Sequence, residues 1–303
     1  MAVGSTAVAP GRRFSPTGTQ TVVIKEKLRS CNSKPLKITR TSTFGLSSQF
    51  KHLSVDSFEQ LTRPEGSKML FNICEKQTQF LANPQYLTRV QKGDIEEGMR
   101  RDIVEWMYKL NVHFEYLHET FAVAVNLFDR FLSQVKVKPL HLQLIAATSL
   151  LLAAKIQEAW NTHPAYNDLV PAGNYSFSAC DLQKMEKLII TKLSWNLNPV
   201  TPHVVLHQLM RFVGMKNESA RAKVIEEGEN LVNSCLLESH FMIFRPSTLA
   251  ACVAMMALNE MGELEQNDKT LRQILFLTST KPEIYNQCTD DLKRIRINVT
   301  PAL

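Results

Sequence analysis

Few residues in this chain have the types and spacing for chemistry. His203 and His207 stand four apart, one helical turn, where two imidazoles can share a metal ion. The run reads His-Val-Val-Leu-His, without the glutamate of a metalloprotease helix. Tetrahedral zinc needs further Cys or His ligands close by, and none is evident. A packed or surface histidine pair is the plainer reading. The adjacent carboxylates Asp290-Asp291 and Glu226-Glu227 read as solvated helix faces rather than an acid–base pair. Six cysteines, Cys31, Cys74, Cys180, Cys235, Cys252 and Cys288, are widely spaced and form no C-x-x-C pair. They read as reduced, mostly buried thiols. No phosphate-binding G-x-x-x-x-G-K-[ST] loop, nucleophile elbow or dinucleotide fingerprint occurs. No catalytic constellation, metal or cofactor is expected, and the chain is not read as an enzyme.

Charge points the same way. The 303 residues carry a net charge of +6, but residues 1–52 hold nine Lys/Arg against one acid, Glu26. The remainder has 26 basic and 28 acidic residues, so the basic character belongs to an N-terminal arm. A near-neutral body argues against nucleic acid as a partner. With 44% apolar and 21% charged residues the composition is that of a soluble globular chain. The N-terminus lacks a signal-type apolar run, and no stretch approaches 18 uninterrupted apolar residues, so no membrane is expected.

The elements that position these residues are helical. Residues 1–55, rich in Ser, Thr, Gly and Lys/Arg, are expected to be a disordered basic arm. Within it Arg12-Arg13-Phe14-Ser15-Pro16 has the form of a proline-directed phosphorylation site, or of an unused polar segment. From Ser67 the pattern turns helical, with no strand-like alternation. Ser67–Phe80 is a lead-in helix. Five segments follow: Gly98–Phe114, His118–Ser133, Pro139–Gln157, a short one near Pro164–Val170, and Ser178–Leu193. Ser178 suits an N-cap, with Asp181 three residues on. After Pro199 the plan restarts with Pro202–Val213, Glu218–Leu237, Pro246–Met261, Thr270–Ser279 and Pro282–Ile297. The third helix of each set, around LQLIAATSLLLAA and PSTLAACVAMMALNEM, is apolar on nearly every face and must be central. The fold class is therefore all-α: two tandem five-helix units after a basic arm and a short N-terminal helix. The expected domains are 1–55, 56–199 and 200–303, with Leu150 and Ala254 buried in their third helices.

Four blocks then carry a resemblance. Met99-Arg100-Arg101-Asp102-Ile103-Val104-Glu105-Trp106 is similar to the "MRAILVDW" opening of the first cyclin box. Glu119 to Leu132, ETFAVAVNLFDRFL, resembles the "ETLxLAVNxxDRFL" stretch. Leu142-Gln143-Leu144 with Leu151 to Glu158, LLAAKIQE, resembles "LQL…LLASKxEE". Leu182-Gln183-Lys184-Met185-Glu186 followed by Leu193-Ser194-Trp195-Asn196-Leu197 resembles "VLxMExxxLxxLxFxL". The second half resembles the second cyclin box in its helix plan and in Arg245-Pro246-Ser247. The chain is accordingly identified as a member of the cyclin family, most like G-type cyclins, with D-type second. The G-like feature is the run from His118 through Val135-Lys136-Val137-Lys138-Pro139. The D-like ones are Ser194 to Leu197 and Thr201-Pro202-His203. The arm shows no R-x-x-L destruction box and no L-x-C-x-E.

The resemblance implies roles. Lys155 and Glu186 match the kinase-binding pair, and Ile156, Trp195 and Leu197 match apolar positions that pack on a kinase helix. Lys155 ends a helix too apolar to be anything but central, so its ammonium must emerge at the end of the bundle. There it can reach a partner's carbonyls while Glu186 holds it. By themselves the two residues equally suit an internal salt bridge, and Trp195 equally suits the core. Arg100 and Asp129 match a buried structural ion pair linking the first two helices. Met99, Ile103, Trp106 and Gln143 match a substrate-docking groove. There Asp102 replaces an apolar residue, and Lys109 stands where an acid would meet a substrate arginine. The implied function is a regulatory subunit that binds and activates a cyclin-dependent protein kinase, in the nucleus and cytoplasm. The alternative is a scaffold recruiting a protein phosphatase or a kinase without activating it.

Overall fold

The computed structural model describes residues 64–159, 162, 164–213, 215, 217–260, 262 and 267–299. The expected basic arm, its Ser15-Pro16 motif and Cys31 lie outside the described residues. Helix α1, Pro64–Lys76, runs into a 3-10 turn, Gln77–Phe80. A one-turn helix α2, Tyr86–Arg89, leads to the first five-helix unit. That unit comprises α3 (Glu97–His113), α4 (His118–Leu132), α5 (Leu142–Gln157), α6 (Tyr166–Leu169) and α7 (Ala179–Lys192). The second comprises α8 (Pro202–Phe212), α9 (Glu218–Leu237), α10 (Pro246–Glu260), α11 (Asn267–Leu277) and α12 (Pro282–Val299). Among the described residues there is no strand, as the periodicity predicts.

The caps explain the boundaries. Ser178 Oγ accepts from the Asp181 N–H at 3.2 Å while Asp181 Oδ2 accepts from the Ser178 N–H at 2.9 Å, a reciprocal capping box. Thr201 caps α8, and Pro202 occupies its first turn, where the missing N–H costs nothing. Helix α11 begins at Asn267, three residues before the expected Thr270, because the weakly apolar Asn-Asp-Lys turn carries no hydrophobic period.

Helix α5 is the centre of the first unit, packed by α3, α4 and α7. Its apolar character on all faces follows from enclosure on all sides. By length and composition the stretch Pro139–Gln157 would also suit a membrane span, but here it lies within the bundle. Leu150 and its neighbours Ala146, Ala147, Ala153 and Ala154 are fully buried. Helix α10 holds the matching place in the second unit, against α8, α9 and α12, with Ala254 buried. Small side chains on both helices let neighbours approach closely. Gly228 of α9 marks one such close approach: a Cβ built there would meet Leu206 Cδ2 at 2.7 Å and Val253 Cγ1 at 3.3 Å.

The two units pack through α3 and α4 on one side and α8 and α9 on the other. The buried pair Arg100–Asp129 sits at this junction. Arg100 Nε donates to Asp129 Oδ1 at 2.9 Å and Nη2 to Oδ2 at 2.8 Å. Tyr86 donates its hydroxyl to Oδ1 of the same carboxylate. Arg100 reaches further than a link between two helices. Its Nη1 and Nη2 also donate to the carbonyls of Leu237, at 2.9 Å, and Leu236, at 3.2 Å, the last two residues of α9. It thus satisfies carbonyls that a helix end leaves open, and its charge suits the negative end of that dipole. Burial opposes the charge on Arg100, but Asp129 outweighs it and raises the guanidinium pKa.

One further expectation needs correcting. Asp291 is not on a solvated face: its carboxylate is largely covered and bonds His240 at 2.7 Å and Arg294 at 3.3 Å. His203 and His207 are a packed pair, as read from the sequence; they lie at the junction of the two units, where His207 Nε2 meets Glu229 at 2.8 Å. Among the described residues no group of His, Cys, Asp and Glu could hold a metal. Of the described cysteines, Cys74, Cys235, Cys252 and Cys288 are buried free thiols, and Cys180 is exposed.

Candidate functional site

One end of the first unit gathers the residues that the family blocks single out. Helix α5 delivers Lys155 in its last turn, where a cation complements the dipole. Helix α7 packs along α5 and delivers Glu186. Lys155 Nζ and Glu186 Oε1 are 2.6 Å apart, with side chains 32% and 12% exposed. Burial opposes the charge on Lys155, but the hydrogen bonds it donates to Glu186 and Tyr166 more than offset it and raise its pKa. The ammonium is therefore held in its charged form, and the pair is reachable from solvent.

The chain beyond α7 closes onto the same end. Gln157 Nε2 donates to Asn198 Oδ1 at 3.2 Å, which holds the residue after Leu197 to the one after Ile156. Arg130 of α4 donates to the Asn196 carbonyl at 2.9 Å. Ile156 and Leu197 are half-buried. Trp195 is 78% exposed. It also sits at φ 62°, after Ser194 at φ 52°, in a left-handed turn that ends α7 through an N–H from Trp195 to the Ile190 carbonyl at 3.0 Å. A bulky residue in that region is strained by the order of 1–3 kcal/mol. The core alternative for Trp195 is thus overturned.

Tyr166 completes the site and belongs to none of the four sequence blocks. Its hydroxyl donates to Glu186 Oε2 and accepts from Lys155 Nζ at 3.2 Å. Lys155 Nζ lies 4.8 Å from the centroid of its ring. The signal that could have found it is weak: an aromatic residue on a single helical turn, eleven positions after the lysine.

The groove residues lie on α3 and at the start of α5. Met99 is exposed, Ile103 and Gln143 are half-buried, and Trp106 is buried. Lys109 is held by Glu105 one turn back, at 2.5 Å, and Gln143 is met by the Ser176 hydroxyl at 3.3 Å. Trp106 is thus covered, and the charge of Lys109 is met by a carboxylate of its own helix.

Two five-helix boxes in tandem, with a charged pair at the exit of one central helix, define an all-α class of protein. The comparisons with known proteins agree. A family profile described as "Cyclin, N-terminal domain" matches residues 68–198, and one described as "Cyclin, C-terminal domain" matches residues 200–300. Cyclin-D4-1 of Arabidopsis thaliana is 31% identical over 210 residues, covering 68% of this chain and 67% of the relative. Cyclin-D3-2 of the same plant is 32% identical over 62% of this chain; the match spans only 52% of that relative's length. Cyclin-B2-1 of Oryza sativa subsp. japonica is 29% identical over 72% of this chain and 50% of its own. A viral cyclin from herpesvirus saimiri shares the fold, with a TM-score of 0.63 at 17% identity, over 75% of this chain and 96% of its own. This chain belongs to the cyclin family.

Proposed function

We propose that this cyclin binds a cyclin-dependent protein kinase through the Lys155–Glu186 end of its first unit and stabilises the active kinase conformation. Trp195 carries the reading. A large aromatic ring held in water on strained backbone contributes nothing to the fold, so the strain is explained by what the ring meets. Beside it stand a reachable ion pair and the half-buried Ile156 and Leu197, the composition of an interface hot spot. A structural neighbour from the CAK complex of Chaetomium thermophilum bound to ATP-gamma-S supports the fold only, with a TM-score of 0.50 at 14% identity. Activation would come from packing on the kinase helix whose glutamate must pair with the active-site lysine. Moving a kinase from mostly inactive to mostly active needs about 5 kcal/mol of differential binding. Within the family, two D-type relatives support a D-type assignment, and the run from His118 to Pro139 supports a G-type one.

The test is affinity for, and phosphotransfer by, a purified cyclin-dependent kinase. Lys155→Ala and Glu186→Ala should each weaken binding by about 2–5 kcal/mol, because the remaining charge is desolvated and unpaired in the complex. The isolated variants should stay folded. Unchanged affinity in both sinks the kinase-binding assignment. Tight binding without a rise in kinase activity would establish the scaffold instead, and a phosphatase would become the partner to seek.

A further inference from the structure

Tyr166 touches both members of the charged pair. Its hydroxyl takes one oxygen of Glu186, Oε2, while Oε1 of the same carboxylate meets the Lys155 ammonium at 2.6 Å. The ammonium in turn donates to the Tyr166 hydroxyl at 3.2 Å and rests 4.8 Å from its ring centroid. A lysine ammonium has three N–H donors. Two are committed to Glu186 and Tyr166, which leaves the third for a further acceptor, on a side chain that is 32% exposed. A lysine on a loose four-carbon stem must be immobilised when a partner arrives; one held by a carboxylate, a hydroxyl and a ring is immobilised beforehand.

The fold fixes the tyrosine as firmly as it fixes the lysine. Helix α6 is one turn long, and its start is set by Asp168 Oδ2, which accepts from the Ala165 N–H at 2.8 Å. Its last residue, Leu169, is fully buried, and the turn packs on α7. Burial, with the Glu186 carboxylate alongside, raises the phenol pKa, so the hydroxyl stays protonated and remains a donor.

We infer that Tyr166 is a positioning residue for partner recognition, which aims the third N–H of Lys155 at a backbone carbonyl of the kinase. This rests on the kinase-binding reading above. The pair then presents a preset donor rather than a mobile charge.

The experiment measures Kd and dissociation rate for a purified cyclin-dependent kinase catalytic subunit, with the Tm of the free cyclin alongside. Tyr166→Phe removes the hydroxyl and keeps the ring. It should weaken binding about tenfold, through faster dissociation, with Tm unchanged. Tyr166→Leu, which removes the ring as well, should weaken it further. In a Lys155→Ala background, Tyr166→Phe should have no added effect, since no ammonium is left to aim. If Lys155→Ala itself leaves Kd unchanged, the proposed function falls and this inference with it. If Lys155→Ala weakens binding but Tyr166→Phe does not, the positioning role alone is overturned. It is also overturned if Tm falls in step with affinity, or if the Tyr166→Phe effect persists undiminished without Lys155, which would mark a direct contact.

Discussion

Buried ionisable side chains at the junction of the two units make the protein sensitive to pH. His203 is 1% exposed and stacks on His118, with ring centroids 6.3 Å apart. Glu229, His207 and Asn233 also face it, and Asn233 meets Nδ1 of His118 at 2.6 Å. Burial pushes the His203 pKa from 6.5 to about 3, outweighing the pull of Glu229. The unfolded chain therefore takes up a proton below pH 6.5 that the folded chain refuses until about pH 3. Stability is lost as pH falls through that window, by the order of 5 kcal/mol. Glu119 has the opposite slope. Burial, with Glu229 and Glu158 alongside and His207 opposing, raises its pKa from 4.5 to about 7. The folded state keeps a proton that the unfolded state releases, so stability is lost as pH rises from 4.5 to 7. Glu119→Gln should flatten the neutral limb and His203→Gln the acid limb in urea unfolding between pH 4 and 8. Curves parallel to the unaltered protein's would refute both assignments. His203 and His207 are visible in the sequence as a helical pair, but nothing there joins them to His118 or Glu119 some eighty residues earlier. Lys155 and Glu186 could be matched through family blocks with near-family spacing. Tyr166 could not, because a four-residue helix has no period to read.

Among the elements, the long amphipathic or wholly apolar helices follow the expected spans to within a few residues, because burial imposes a period on them. The finer choices lie in the third helices and their neighbours. Gly228 reads in the sequence only as a helix-weakening residue in α9; its reason is the approach of α8 and α10, which no local pattern encodes. Valine there would drive branched carbons into Leu206 and Val253. Gly228→Val should destabilise the fold by about 1–3 kcal/mol, read as a lower urea midpoint. A midpoint at or above that of the unaltered chain would show that Leu206 can turn away and that the packing is looser than the distances indicate.

For the whole molecule, the Arg100 network decides whether the two boxes behave as one body. The ion pair with Asp129 was legible from the first two blocks, but the carbonyls of Leu236 and Leu237 lie 136 and 137 positions on. Arg101–Glu238, at 2.6 Å, and the Ser239–Glu97 hydrogen bond continue the same contact toward the surface. Arg100→Ala leaves Asp129 buried without its cation and two helix-end carbonyls without their donor. It should cost about 3–5 kcal/mol and, in calorimetry, split unfolding into two transitions, one for each box. A single transition at the original temperature would mean that the apolar contacts of α3 and α4 with α8 and α9 suffice.

The exposed ring of Trp195 also gives the protein an optical handle. Of the tryptophans described, Trp106 lies in the core and Trp195 in water, so their indoles relax in opposite surroundings. Water dipoles reorient around an excited indole and shift its emission to the red, and a hydrocarbon environment does not. Of these two indoles, the red-shifted emission is that of Trp195, on the face proposed above to meet a kinase. A partner that covers this face removes the water from the Trp195 ring, and the contribution of that ring moves to the blue without any label attached.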